Sequence, residues 1–329
     1  MSERKINFLQ AISQAIREEM QRDKAVFLLA EDMGDEPFGI NSDLLEEFGS
    51  ERVIDTPMSE AAMIGSAVGA ALMGMRPIAE MQMIDLVACD FDQLMHMAMQ
   101  MYWRTTTSMP MVIRGSSSGA GIRGESAQIA TPEARFFHTP RIKVVAPSTT
   151  YDAKGMLKAA IRDNDPVLYL EHMLLYRMPA LCEELPAEDY TVPLDKAIIR
   201  REGEDMTILT YGIMVHQCLR AAQMLEEDDD LAVEVLDLRS LSPLDSEAIL
   251  ESVKRTNKVL IVHEGALARG IDAELSAMIA DNLYDEYLDG PITSLAPPEV
   301  LLACAPSREE RYFPGTKKIL SAARELAAY

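Results

Sequence analysis

Five short runs of aliphatic and β-branched residues, 25–32 (AVFLLAED), 76–81 (RPIAEM), 110–115 (PMVIRG), 142–147 (IKVVAP) and 166–171 (PVLYLE), are spaced by stretches long enough for helices. That alternation constrains the fold more than any other feature. Strands linked by helical crossovers predict a parallel sheet covered on both faces. Helical patterns fall at Ala61–Met75, Asp92–Met101 and Tyr151–Ile161, with an amphipathic helix near the N-terminus. Pro179, Pro186 and Pro193, set among acidic residues, then mark an irregular connection. The alternation resumes beyond it, with strands at 206–212, 232–241 and 258–265 and helices to about Met224, over Asp245–Arg255 and over Asp272–Asp281. The expected fold is two parallel-sheet α/β domains, residues 1–178 and 195–329, joined by a linker at 179–194. A chain of 329 residues, 48% of them hydrophobic, can fill both cores.

Charge narrows the partners. The net charge of −22 repels nucleic acid and anionic membrane surfaces. The apolar run Ala61–Met75, bounded by Glu60 and Arg76, is shorter than the roughly 20 residues that a membrane span needs, so it reads as a buried helix. Ser59 is expected to cap it, with Glu60 in the first turn, where the helix dipole favours a carboxylate. Gly65, Gly69 and Gly74 suit close packing against another helix, including one from another subunit. Cys89, Cys182, Cys218 and Cys304 are scattered, and the charged N-terminus has no apolar core of signal type. Reduced thiols in the cytoplasm are the expectation.

No motif decides the chemistry alone. The five histidines form no HExxH or His/Cys cluster, and GxSxG is absent. The Gly/Ser-rich segment 115–126 (GSSSGAGIRGES) matches no phosphate-loop pattern and reads as an active-site loop. Met95, Met97, Met99 and Met101 read as core filling.

Taken together, VFLLAEDMG, RVIDTPMSEAAMIGSAVGAALMGMRPIAEMQ, FDQL, PMVIRG, HTPRIKVVAPSTTYDAKGMLKAAIRDNDPVLYLEH and LACAPSREERYFPGTKKIL resemble the beta subunits of thiamine-diphosphate-dependent 2-oxo acid dehydrogenases along nearly the whole chain. Acetoin, pyruvate and branched-chain enzymes are all similar. The resemblance implies a transketolase-like pyrimidine-binding domain followed by a transketolase C-terminal domain. It assigns to Glu60, in the P-x-S-E motif, the hydrogen bond to the aminopyrimidine that activates thiamine diphosphate, a role that needs a carboxylate. Met58, Gln82 and Leu86 correspond to positions around the pyrimidine, Leu86 replacing the usual aromatic residue. Met111, Ala160, Ile161, Asp163 and Asp165 correspond to a monovalent-cation (K+) site made largely of carbonyls, Asp165 replacing the usual Asn.

The diphosphate and Mg2+ are held in such enzymes by a GDG motif of the alpha subunit, and this chain contains no GDG. The resemblance therefore implies a two-alpha, two-beta tetramer with a shared active site. Its substrate would be a 2-oxo acid or acyloin, and a lipoyl acyltransferase would be a further partner. One departure bears on that partner: the histidine that assists acyl transfer is replaced by Gln128, ten residues before His138. Glutamine cannot shuttle a proton near neutral pH. Carboligase or split-transketolase-like transfer without lipoamide, and a non-catalytic interaction subunit, are the alternatives.

Overall fold

The computed structural model describes residues 5–31, 42–84, 89, 91–95, 101–117, 132–136, 139, 141–176, 178–265, 267, 270–298 and 312–329. The chain divides into two compact units, Met1–Ser117 with Arg135–Leu194, and Ser118–Ala134 with Asp195–Tyr329.

In the first unit, β1 (Val26–Glu31), β2 (Val53–Thr56), β3 (Arg76–Met83), β4 (Val112–Ser117), β5 (Lys143–Val145) and β6 (Val167–His172) lie in the order β5-β6-β4-β3-β1-β2. All these pairings are parallel. Every residue of β1 and β6 is buried, as expected of strands covered on both faces. The helices are α1 (Phe8–Arg22), α2 (Ser42–Phe48), α3 (Glu60–Leu72), α4 (Met101–Thr105), α5 (Thr150–Arg162) and α6 (Met173–Tyr176). Of the helix expected at Asp92–Met101, residues 91–95 are helical and 96–100 lie outside the described residues.

Helix α1 starts in a capping box between Asn7 and Gln10 and buries Phe8, Ile12, Ile16 and Met20. It packs on α5. There Glu19, fully buried, accepts from Arg162 Nη2 at 2.6 Å, and Glu18 accepts from Lys154 at 2.6 Å and Lys158 at 2.5 Å. Buried charges on this face are thus all paired.

The second unit carries β7 (Ile198–Arg201), β8 (Met206–Thr210), β9 (Val233–Asp237), β11 (Val259–Val262) and β12 (Thr293–Leu295) in the order β12-β11-β8-β9-β7, the short β10 (Ser240–Ser242) lying outside this sheet. Helices α7 (Met214–Asp229), α8 (Ser246–Thr256), α9 (Ile271–Leu283) and α10 (Thr316–Ala327) accompany it. The sheet is mixed rather than purely parallel, because β7 pairs with β9 in the antiparallel sense at an edge. A tight turn joins β7 to β8 with no crossover helix, so nothing imposes the parallel sense on that strand. Gly203 sits in this turn where a Cβ would lie 2.2 Å from the Glu234 amide nitrogen. The acidic run Glu226–Asp230 closes α7, Asp230 taking the left-handed conformation (φ 56°) that its short side chain tolerates. Among the described residues, no helix is long and apolar enough to cross a membrane.

Candidate functional site

Because the first sheet is parallel, β1, β3, β4 and β6 end at one edge, where open α/β sheets bind ligands. Each contributes a charged residue within its last four positions: Glu31 from β1, Glu80 from β3, Arg114 from β4 and Glu171 from β6. Arg114, only 1% exposed, stands opposite Glu80 in the strand register. It pairs with Glu80 and is bidentate on Glu171 (Nε–Oε1 2.7 Å, Nη2–Oε2 2.9 Å). Tyr176 donates to Glu171 Oε2 at 2.6 Å. Burial opposes the guanidinium charge, but Glu171 and Glu80 outweigh it and hold Arg114 well above its usual pKa.

Glu60 is the first residue of α3 and is half-buried. Ser59 occupies the N-cap position, but its side chain makes no capping hydrogen bond, contrary to expectation. The buried Glu31 carboxylate instead accepts the Ser59 N–H at 3.3 Å, tying the helix start to the end of β1. Thr56 Oγ1 donates to the Ala30 carbonyl at 3.2 Å from the neighbouring strand. The Glu60 carboxylate has no hydrogen-bond or ion-pair partner among the described residues, whereas Glu31, Glu80 and Glu171 are all engaged. Met58, two residues earlier, is 64% exposed. One face of α3 buries Met63, Ile64, Ala67, Val68 and Ala71, while Ala61, Ala62, Ser66 and Gly69 are exposed. A Cβ at Gly69 would meet nothing within 4 Å.

Gln82 lies on β3, close behind Glu80, and its side chain is outside the described residues; Leu86 and Gln128 also lie outside them. The residues matched to a cation site gather where the end of α5 and the loop to β6 meet the start of β4. Arg76 Nη1 donates to the carbonyls of Ile161 (3.1 Å) and Asp163 (2.7 Å). The Asp163 amide donates to the Ala160 carbonyl at 3.2 Å, and the Val167 amide to the Met111 carbonyl at 3.0 Å. The carboxylates of Asp163 and Asp165 pair with Lys143 and Arg141. Each of these four carbonyls keeps a second lone pair, and such hard oxygens suit an alkali cation. Among the described residues, no three His, Cys, Asp or Glu side chains form a metal cluster.

Sequence reasoning missed Glu31, Glu80, Arg114 and Glu171. A signal was present, since each is a charge inside or ending an otherwise apolar strand run, which a buried strand accepts only with a partner.

Residues 4–179 match the transketolase pyrimidine-binding domain, and residues 195–319 match the transketolase C-terminal domain. The chain is 43% identical to the 2-oxoisovalerate dehydrogenase subunit beta of Bacillus subtilis, over 98% of this chain and 99% of that one. It is 39% identical to the beta subunit of the acetoin:2,6-dichlorophenolindophenol oxidoreductase of Cupriavidus necator (98% and 97% covered). It is likewise 39% identical to the pyruvate dehydrogenase E1 component subunit beta of B. subtilis (98% and 99%). In fold it is similar to a split-gene transketolase solved as an inactive beta4 tetramer, with a TM-score of 0.80 at 21% identity and coverage of 98% and 99%.

Proposed function

The chain belongs to the transketolase-like beta subunits of 2-oxo acid and acetoin dehydrogenases, and on that premise we propose that it activates thiamine diphosphate through Glu60 at an active site shared with an alpha subunit. The carrying observation is that the Glu60 carboxylate, half-buried in the first turn of α3, has no partner among the described residues, while Glu31, Glu80 and Glu171 are engaged. A carboxylate held that way is free to share a proton with a ring nitrogen of the cofactor. Bound thiamine diphosphate supplies the nucleophilic carbon that attacks the substrate carbonyl. Glu31 fixes the helix start that presents Glu60, and the exposed Met58 offers an apolar surface to a flat ring.

The residues present fit the pyrimidine end of the cofactor only. With no GDG motif here, the diphosphate and its Mg2+ fall to the alpha chain, and the open small-residue face of α3 suits the helix contact of a two-alpha, two-beta tetramer. K+ bound at the carbonyls of Met111, Ala160, Ile161, Asp163 and Asp165 would brace the loop beneath β4. A non-catalytic subunit has no need of a half-buried acid without a partner among the described residues, which speaks against that alternative.

Gln128 favours a second reading for the later half-reaction: the acyl or ketol group passes to an acceptor other than lipoamide, as in a carboligase. Co-expression with an alpha-type chain, followed by a screen of 2-oxo acids and acyloins with an artificial electron acceptor, tests the main reading. No turnover on any of them by a folded, cofactor-loaded tetramer would sink it. Poor acylation of a lipoyl domain, raised selectively by Gln128→His, would favour the second reading; fast acylation by the parent would remove it.

A further inference from the structure

In the second unit the chain leaves β8 toward β9 on one side and later returns to β11 and β12 on the other. The winding of the sheet therefore reverses between the neighbouring parallel strands β8 and β11. Ligands of open α/β sheets sit beyond the carboxyl ends of the strands that flank such a reversal. Here those ends carry Tyr211, directly after β8, and His263, directly after β11, their rings parallel with centroids 6.5 Å apart. Tyr211 and Gly212 are half-buried, and a Cβ at Gly212 would meet nothing within 4 Å among the described residues, so there is room beside the histidine.

His263 is 1% exposed, and its Nε2 lies 3.1 Å from Asp272 Oδ1 in the first turn of α9. Burial raises the Asp272 pKa, but the bonds from His263 and Ser294 outweigh it and keep this carboxylate ionised at neutral pH. An ionised carboxylate only accepts, so Nε2 carries the proton and the neutral ring presents a bare lone pair at Nδ1. Nδ1 lies on the side of the ring away from Asp272, is buried, and has no hydrogen-bond partner among the described residues. A buried acceptor left so costs stability, and a bound donor removes that cost.

Acids gather around it. Buried Glu133, in the short helical turn Pro132–Arg135, accepts the Tyr211 hydroxyl at 2.7 Å, and Glu264 adjoins His263 in the chain. Burial raises the Glu133 pKa, Tyr211 and His263 lower it, and Glu264 raises it. Neither Glu133 nor Asp272 meets a Lys or Arg among the described residues. A lone pair, acids without a described cation and an aromatic face together select a positively charged hydrogen-bond donor. We propose that the edge between β8 and β11 binds a small primary amine in its ammonium form, which donates to His263 Nδ1 and is held by the charges of Asp272 and Glu133 and by the Tyr211 ring.

The test reads the full-length chain by magnetic resonance with isotope-labelled histidine nitrogens. Its five histidines give a sparse spectrum, in which His263→Asn assigns His263. Butylammonium, butanol and butanoate, alike in size, are the probes. In the free chain His263 should show a protonated Nε2 and an unprotonated Nδ1. Butylammonium should move the Nδ1 resonance saturably, with a Kd of about 1–10 mM, as suits so small a fragment. Butanol should bind about tenfold more weakly or worse, and butanoate not at all. Glu133→Gln keeps an oxygen for the Tyr211 hydroxyl but removes the charge, and should weaken butylammonium by about tenfold. A protonated Nδ1 in the free chain, or no response of His263 to butylammonium, would overturn the proposal. So would equal responses to all three probes, or a butylammonium affinity untouched by Glu133→Gln, because either shows that charge is not what the edge selects.

Discussion

Replacing Arg114 with Met should be the most damaging single change in the first unit. The guanidinium is the counter-charge for Glu171 and Glu80, and Glu171 is itself buried. Met matches much of the Arg stem, so the cavity cost is small and the loss of the two ion pairs dominates. Removing one partner of a buried ion pair costs about 3–5 kcal/mol. Domains of about 150–250 residues lose roughly 2–4 °C per kcal/mol, which puts the fall in Tm at about 6–20 °C. Scanning calorimetry of the chain at pH 7 measures it. Adding Glu171→Gln to Arg114→Met should recover part of the loss, because it removes one of the uncompensated charges. A fall below about 3 °C at pH 7, near 1 kcal/mol, would refute the argument that this cluster depends on Arg114.

Glu60→Gln in the assembled enzyme should lower kcat by about two orders of magnitude or more, as losing a general acid-base group does. Its Tm should move by less than about 2 °C, since the carboxylate has no described partner to lose; activity within a few-fold of the parent at saturating cofactor would return Glu60 to a dipole role. Calorimetric titration of the isolated chain with thiamine diphosphate should give weak or no binding, and micromolar affinity would contradict a shared site. Gly203→Ala should destabilise the second unit by about 1–3 kcal/mol, because its Cβ meets β9 backbone that cannot give way; an unchanged calorimetric transition would count against that contact. Burial raises the Glu133 pKa above its unfolded value, so the stability it contributes is present below the unfolded pKa and lost as pH rises through the folded one. Relative to the parent, Glu133→Gln should gain Tm steadily from pH 4.5 upward, and parallel Tm–pH curves would refute the assignment.

What was legible in the sequence was local. Runs such as VFLLAE and VLYLEH are apolar at every other position and between, because both faces of a parallel strand are buried, and they became β1 and β6. Helix α3 follows from an apolar run that stops at Gly74, whose φ of 88° suits a residue without a Cβ. Glu60 stood out because its motif is contiguous, running from Pro57 to Glu60. The short strands β2 and β12 and the antiparallel β7 escaped notice, since three or four residues carry too little periodicity to stand out.

Pairing across the sheet was decided by tertiary structure alone. Glu31, Glu80, Arg114 and Glu171 span 141 positions of chain, and only the order β6-β4-β3-β1 and its register bring the guanidinium between two carboxylates. The same holds for Ser59, whose amide is taken by an acid 28 residues away. A residue's type tells what it needs when buried; which partner meets the need depends on strands whose neighbours in space are not their neighbours in sequence.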